Sequence, residues 1–152
     1  MSKPTAEHPP ASAKPRGCTF LRMRKLTRRI TQRYDLHLQQ GGLRSTQFSL
    51  LATLAGGDGL SISDLAAQLA MDRTTLTRNL QPLIAAGHVQ LAAGQDARSR
   101  SVQLTPPGRS AFQAALPYWR DAQREMLTLL GGDALQHLHE ILDATLNLLE
   151  EN

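Results

Sequence analysis

The sequence predicts a mainly α-helical domain that carries one small β-hairpin. Three observations point there. Apolar residues recur at three- and four-residue spacing through most of the chain. Helix-sized stretches are punctuated by capping residues and glycine pairs, as at Gly41-Gly42, Gly56-Gly57 and Gly131-Gly132. The stretch "SVQLT" alternates like a strand with one buried face, and Gly94 and Asp96 mark a turn before it.

At 152 residues and 41% hydrophobic content the chain suits one domain, expected over 17–152. Residues 1–16, rich in Pro and Ala, are expected to form a disordered tail. No apolar run approaches the roughly 20 residues that cross a bilayer. The opening "MSKPTAEHPPASAKPR" lacks the apolar centre of a signal peptide, so the expectation is a soluble, cytoplasmic protein without a membrane partner. A single cysteine can make neither an internal disulfide nor, by itself, a zinc knuckle. Charge is uneven: residues 1–116 hold 15 Lys and Arg against 6 Asp and Glu, whereas residues 117–152 hold 2 against 7. A basic body with an acidic end suits a nucleic-acid binder whose contact surface occupies part of the fold.

In chain order, "FLRMRKLTRRITQRYDLHL" places Phe20, Met23, Leu26, Ile30, Tyr34 and Leu38 on one helical stripe, opposite a strongly basic face. "STQFSLLATLAG" reads as a short, mostly buried second helix with Ser45 as N-cap. In "SISDLAAQLA", Ser61 and Asp64 form an imperfect capping box ahead of Leu65 and Leu69. In "MDRTTLTRNLQPLIAAGHVQ", Asp72 caps a fourth helix whose inward stripe is Leu76, Leu80, Leu83 and Ile84, stopping at Gly87.

At about 100° per residue, Thr74, Arg78 and Gln81 point away from that stripe, Thr75 and Thr77 lie on its shoulders, and Arg73 occupies the first turn. Hydroxyl and guanidinium groups suit base edges and phosphates; a helix built only for solubility more often shows Glu and Lys. The hairpin that follows, "AAGQDARSRSVQLTPPG", carries Arg98 and Arg100 at its expected tip, with Asp96 placed to brace Arg98 by a charge-assisted hydrogen bond. A solvated strand edge is the plainer reading of such a tip. Two short helices joined by "AM", the second with this face, then a cationic hairpin, spell a winged helix-turn-helix over about 45–105. The candidate contacts to double-stranded DNA are Arg73, Thr74, Thr75, Thr77, Arg78, Arg98 and Arg100.

"DRTTLTRNLQPLIAAGHV" and "DARSRSVQLTPPG", in this order and separation, resemble the recognition helix, D-x-R-[SA] wing and L-T-x-x-G turn of the MarR family of bacterial transcription regulators. The similarity runs from Cys18 to the C-terminus. It implies a homodimer with interlocking first, fifth and sixth helices, an inverted-repeat operator, most often a repressor role, and an effector pocket between the dimer and DNA-binding parts. The dimerisation helices are then expected over about 18–40 and 106–151.

The remaining residues can support such a dimer. Thr105 and Pro106 make an N-cap and first-turn pair for a long helix, and Asp133 is expected to cap the last one. There Leu135, Leu138, Leu142, Thr145 and Leu149 form a seam that suits either a partner helix or the chain's own; the resemblance favours a partner. The basic face of the first helix is either ordinary solvated surface or, with Arg29 facing a cleft walled by Tyr34, Phe48 and Trp119, a site for an anionic aromatic effector; these aromatics also suit plain core. Cys18 lies close to the reactive cysteine of the family's peroxide-sensing branch, between Arg16 and Arg22, and is a redox candidate with an incidental small residue as the alternative.

Other classes find less support. No glycine-rich phosphate loop, G-x-S-x-G elbow or H-E-x-x-H motif argues for an enzyme, and no cofactor is implied. His137 and His139 diverge by about 200° on a helix and cannot share a metal, though His137 with Glu140 could weakly, so a metal-sensing regulator of the same fold is the alternative. A protein-interaction module would present an apolar or aromatic face rather than threonine and arginine.

Overall fold

The computed structural model describes residues 17–57, 59–94 and 100–150. Along them run helix α1 (Thr19–Leu38), a 3-10 turn (Gln39–Gly41), α2 (Ser45–Ala55), strand β1 (Leu60–Ser61), α3 (Ile62–Gln68), α4 (Arg73–Ala85), β2 (Val89–Ala93), β3 (Arg100–Leu104), α5 (Pro106–Leu130) and α6 (Gly132–Glu150). This is a winged helix-turn-helix flanked by longer helices. The expected tail at 1–16, Asp96 and Arg98 lie outside the described residues.

The core is aliphatic. Leu38, Leu50, Leu51, Leu54, Leu65, Leu76, Leu80, Leu83 and Val102 are fully buried and come from α1, α2, α3, α4 and β3, so the helices and the wing share one interior. Each such leucine contributes about 1.5–3 kcal/mol of burial. The wing is three-stranded, in the order β1-β3-β2, both pairs antiparallel. The hairpin was expected; β1, where Leu60 pairs with Val102, was not, because two residues carry no period of their own.

Four expectations need correction. Ser45 does not cap α2: Arg44 occupies the N-cap position and its backbone N–H donates to Gln47 Oε1 (2.9 Å), while Ser45 is already helical and its N–H donates to Asp35 Oδ1 of α1 (2.7 Å). Two backbone donors of that helix end are thus satisfied, one from within the first turn and one from a neighbouring helix. Asp133 does not cap α6; the helix begins at Gly132, and Asp133 sits in its first turn, where a negative charge still complements the helix dipole. The stripe on α1 divides. Leu38 is buried and Ile30 and Tyr34 are half-buried, but Phe20, Met23 and Leu26 remain 68%, 40% and 38% exposed, because the chain's own helices cover only the second half of α1. The α6 seam divides likewise: Leu135, Leu138 and Leu142 are half-buried, Thr145 and Leu149 exposed.

Candidate nucleic-acid interface

Helix α4 is aimed by its own sequence. Leu76, Leu80 and Leu83 anchor one side in the core, which leaves Arg73, Thr74, Thr75, Thr77 and Arg78 exposed on the rest. Arg73, Thr74, Thr77 and Arg78 line one open surface groove. Asp72 holds the N-terminus: its Oδ1 accepts from Thr75 N–H (2.8 Å) and its Oδ2 from the Thr75 hydroxyl (2.6 Å). The Thr75 hydroxyl, followed by its N–H, holds the Asp72 carboxyl below its ordinary value of 3.8. The Thr77 hydroxyl donates to the Arg73 carbonyl (2.7 Å), one turn back.

The turn before α4 is fixed by the Met71 N–H donating to Ala66 O (2.8 Å) and by Ala70 in the left-handed region at φ 49°. α3, the first helix of the pair, is capped as its sequence indicates: the Asp64 N–H donates to Ser61 Oγ (3.0 Å), and the Ser61 hydroxyl to Asp64 Oδ2 (2.6 Å).

In the wing, β2 and β3 pair from Val89↔Leu104 out to Ala93↔Arg100. Arg100 is exposed at the outer end of a strand rather than in the turn, because the ladder extends that far. Asp96, the expected brace, and Arg98 fall within the undescribed 95–99. The base of the wing is tied to α5 by Thr105, whose N–H donates to His88 O (3.1 Å) and whose hydroxyl donates to Gly87 O (2.6 Å) while accepting from Gly108 N–H (3.0 Å). Wing and α4 therefore form one body, since Gly87 and His88 lie just past Ala86, the C-cap of α4.

Two of the effector candidates touch each other. Phe48 is 6% exposed and stacks on Trp119, with ring centroids 5.9 Å apart and 17° between planes; Phe112 lies 5.3 Å from it on its other contact. Both residues serve the core and its edge. The Tyr34 hydroxyl donates to Gln123 Oε1 (2.7 Å), and burial raises its pKa above 10.0. Arg29 lines a surface groove with Lys25, Arg28 and Gln32. Cys18 is exposed at the N-cap position of α1, with no cap hydrogen bond from its side chain.

One cluster escaped sequence reasoning. Glu125 of α5 accepts from Arg33 and from His37 Nε2 (2.7 Å), both on α1, and so pins the second half of that helix. Its partners lie about ninety positions away, beyond the reach of any local pattern. Among the described residues no group of three or more His, Cys, Asp and Glu is placed to hold a metal; His137 Nδ1 and Glu140 Oε2 approach to 3.9 Å. No helix among the described residues is long and apolar enough to cross a membrane.

A sequence model of the MarR family matches residues 41–99. Solved structures similar to the chain include the M. tuberculosis transcriptional regulator MosR in complex with DNA, 36% identical, over 88% of this chain and 98% of that one, at a TM-score of 0.76. A MarR-family transcriptional regulator from Silicibacter pomeroyi is 30% identical over 82% of this chain and 87% of its own, at 0.61. A mutant of E. coli MarR complexed with operator DNA, 21% identical over 84% and 92% at 0.76, shares the fold. No match is found among curated proteins. Sequence model, identity over nearly the whole length, and the winged architecture agree: the chain belongs to the MarR family of transcriptional regulators.

Proposed function

We propose that this regulator binds double-stranded DNA as a homodimer, recognises an inverted-repeat operator through α4 and the wing, and acts as a cytoplasmic repressor released by a small-molecule or oxidant signal. The observation that carries the reading is the outer face of α4: Arg73, Thr74, Thr75, Thr77 and Arg78 stand exposed together, with no acid beyond the capping Asp72. Guanidinium groups supply phosphate contacts and bidentate guanine recognition, and threonine supplies a hydroxyl and a methyl for base edges. Arg100 extends the same charge along the wing toward flanking backbone or minor groove, and Arg98 is the second candidate of the wing sequence. A similar protein, MosR, has been crystallised with DNA.

The dimer accounts for apolar surface that a lone chain would leave in water: Phe20, Leu21 and Met23 on α1, Leu127, Leu129 and Leu130 at the end of α5, and Ile141, Leu146 and Leu149 on α6. Two-fold symmetry then sets the recognition helices about one DNA turn apart, roughly 34 Å, and makes the operator a near-palindrome.

The test is to incubate the purified protein with fragmented genomic DNA and sequence what it retains. A shared near-palindrome is expected; recovery indistinguishable from the input overturns the reading. For the signal, Cys18→Ser is compared with the native protein under stoichiometric hydroperoxide. Release of DNA from the native protein alone identifies an oxidant signal at Cys18. Equal behaviour leaves a small molecule as the signal.

A further inference from the structure

We propose that Asp72 sets the hydrogen-bonding polarity of Thr75, so that Thr75 offers the major groove an acceptor and selects a base bearing an amino group, cytosine or adenine. The inference rests on the DNA-binding reading above and specifies how one position of that site discriminates.

A threonine hydroxyl has a single proton, and in solution it rotates to donate or accept as its partner requires. At Thr75 that freedom is gone. The proton points to Asp72 Oδ2 at 2.6 Å, a charge-assisted bond of the stronger class, while the other carboxylate oxygen is tied to the Thr75 backbone at 2.8 Å. The two bonds fix each other, since the cap holds the carboxylate where the hydroxyl must meet it.

Thr75 is nevertheless exposed, in the first turn of the helix, the part of a recognition helix that faces base edges. What it can still present is an oxygen lone pair and a methyl group. Donation to guanine O6 or N7, or to thymine O4, would require giving up the carboxylate. Acceptance from cytosine N4 or adenine N6 would not.

The neighbouring hydroxyls differ. Thr77 gives its proton to the neutral carbonyl of Arg73, a weaker tie, and Thr74 carries no side-chain hydrogen bond among the described residues. Thr75 is the hydroxyl on this face whose polarity is held by a charge.

Asparagine separates the two duties of Asp72. As an N-cap it is equal to aspartate, but its second atom is an NH2 that donates, which frees the Thr75 proton for the groove. Serine at position 72 also caps, and it is too short to hold the hydroxyl as well.

The experiment selects from a randomised duplex library with the native protein, Asp72→Asn, Asp72→Ser, Thr75→Val, Thr75→Ser and the Asp72→Asn/Thr75→Val pair, after circular dichroism confirms each fold. The native protein and Thr75→Ser should prefer cytosine or adenine over guanine or thymine at one position of each half-site. That preference should fall roughly three- to tenfold, the span of one net hydrogen bond, in Asp72→Asn, Asp72→Ser and Thr75→Val. Asp72→Asn should change nothing further once Thr75 is Val. An unaltered preference in the Asp72 variants, or an equal effect of Asp72→Asn with and without the Thr75 hydroxyl, overturns the inference and leaves DNA binding standing. Failure of the native protein to enrich any sequence overturns the DNA-binding reading and this inference together.

Discussion

Gly108 lies so close beneath His88 that a Cβ at position 108 would overlap the His88 carbonyl oxygen, and the obstacle is backbone, which cannot swing aside. That contact seats the first turn of α5 on the junction between α4 and β2, where Thr105 also hydrogen-bonds the Gly87 and His88 carbonyls. Gly108→Ala should therefore lower stability by about 1–3 kcal/mol, the ordinary cost of overpacking. Gly56→Ala is the control: its φ of −83° suits any residue and its nearest neighbour would be an ordinary 3.6 Å away, so it should be neutral or slightly stabilising. Urea midpoints at one fixed protein concentration compare the two; equal midpoints would remove the close approach from the account.

The Glu125 cluster makes a pH prediction. Hydrogen bonds from His37, then Arg33, hold the Glu125 carboxyl below its ordinary 4.5. The unfolded chain therefore binds the proton at a higher pH than the folded one. The contribution of this group is complete above about 4.5 and is lost as pH falls through the lower folded value, so stability rises with pH across that window. Glu125→Gln should be less stable than the native protein at neutral pH and lose less on acidification. Thermal unfolding between about pH 6 and pH 3 would show converging curves; parallel curves would deny Glu125 the role.

These two cases show what a sequence exposes and what it hides. Asp72, Leu76, Leu80 and Leu83 were legible because a cap and a 3.6-residue stripe are local, and local chemistry alone orients α4. Ser61 with Asp64 and Thr105 with Pro106 were legible for the same reason. Ser45 misled because the acceptor for its N–H, Asp35, stands on another helix. Glu125, Gly108 and the Leu60↔Val102 pairing were hidden because each meets a partner placed only by the finished fold. Phe20, Met23 and Leu26 form the apolar stripe that their spacing predicts; periodicity identifies a face that wants covering and not what covers it.

DNA contacts should divide between helix and wing. Arg78→Ala should cost about 1–3 kcal/mol in operator binding and flatten base preference beneath it, whereas Arg98→Ala should cost a similar amount with little change in preference and a shallower salt dependence. Arg78→Ala should not move the unfolding midpoint, because Arg78 is exposed and packs none of the core, and Arg98→Ala is expected to leave it unchanged as well. Titrations over a salt series measure both quantities. Unchanged affinity in Arg98→Ala would take the wing out of the interface.

Assembly can be separated from folding because the buried core ends before α6 begins. Among the described residues the last buried hydrophobic one is Ala122, and α6 contains no buried residue, so deleting 133–152 removes no part of the described interior. If α6 serves a second copy of the chain, the truncated protein should keep its winged domain and lose stable dimers and operator binding together. A gentler variant guards against collateral unfolding: Ile141→Asp with Leu146→Asp places charge on side chains that are 55% and 50% exposed in the lone chain, where it costs little, but buried in a dimer, where an unpaired carboxylate is expensive. Sedimentation at micromolar concentration should show monomers for both. Dimers that survive the two aspartates, or a monomer that still protects a palindromic site, would place the partner surface elsewhere.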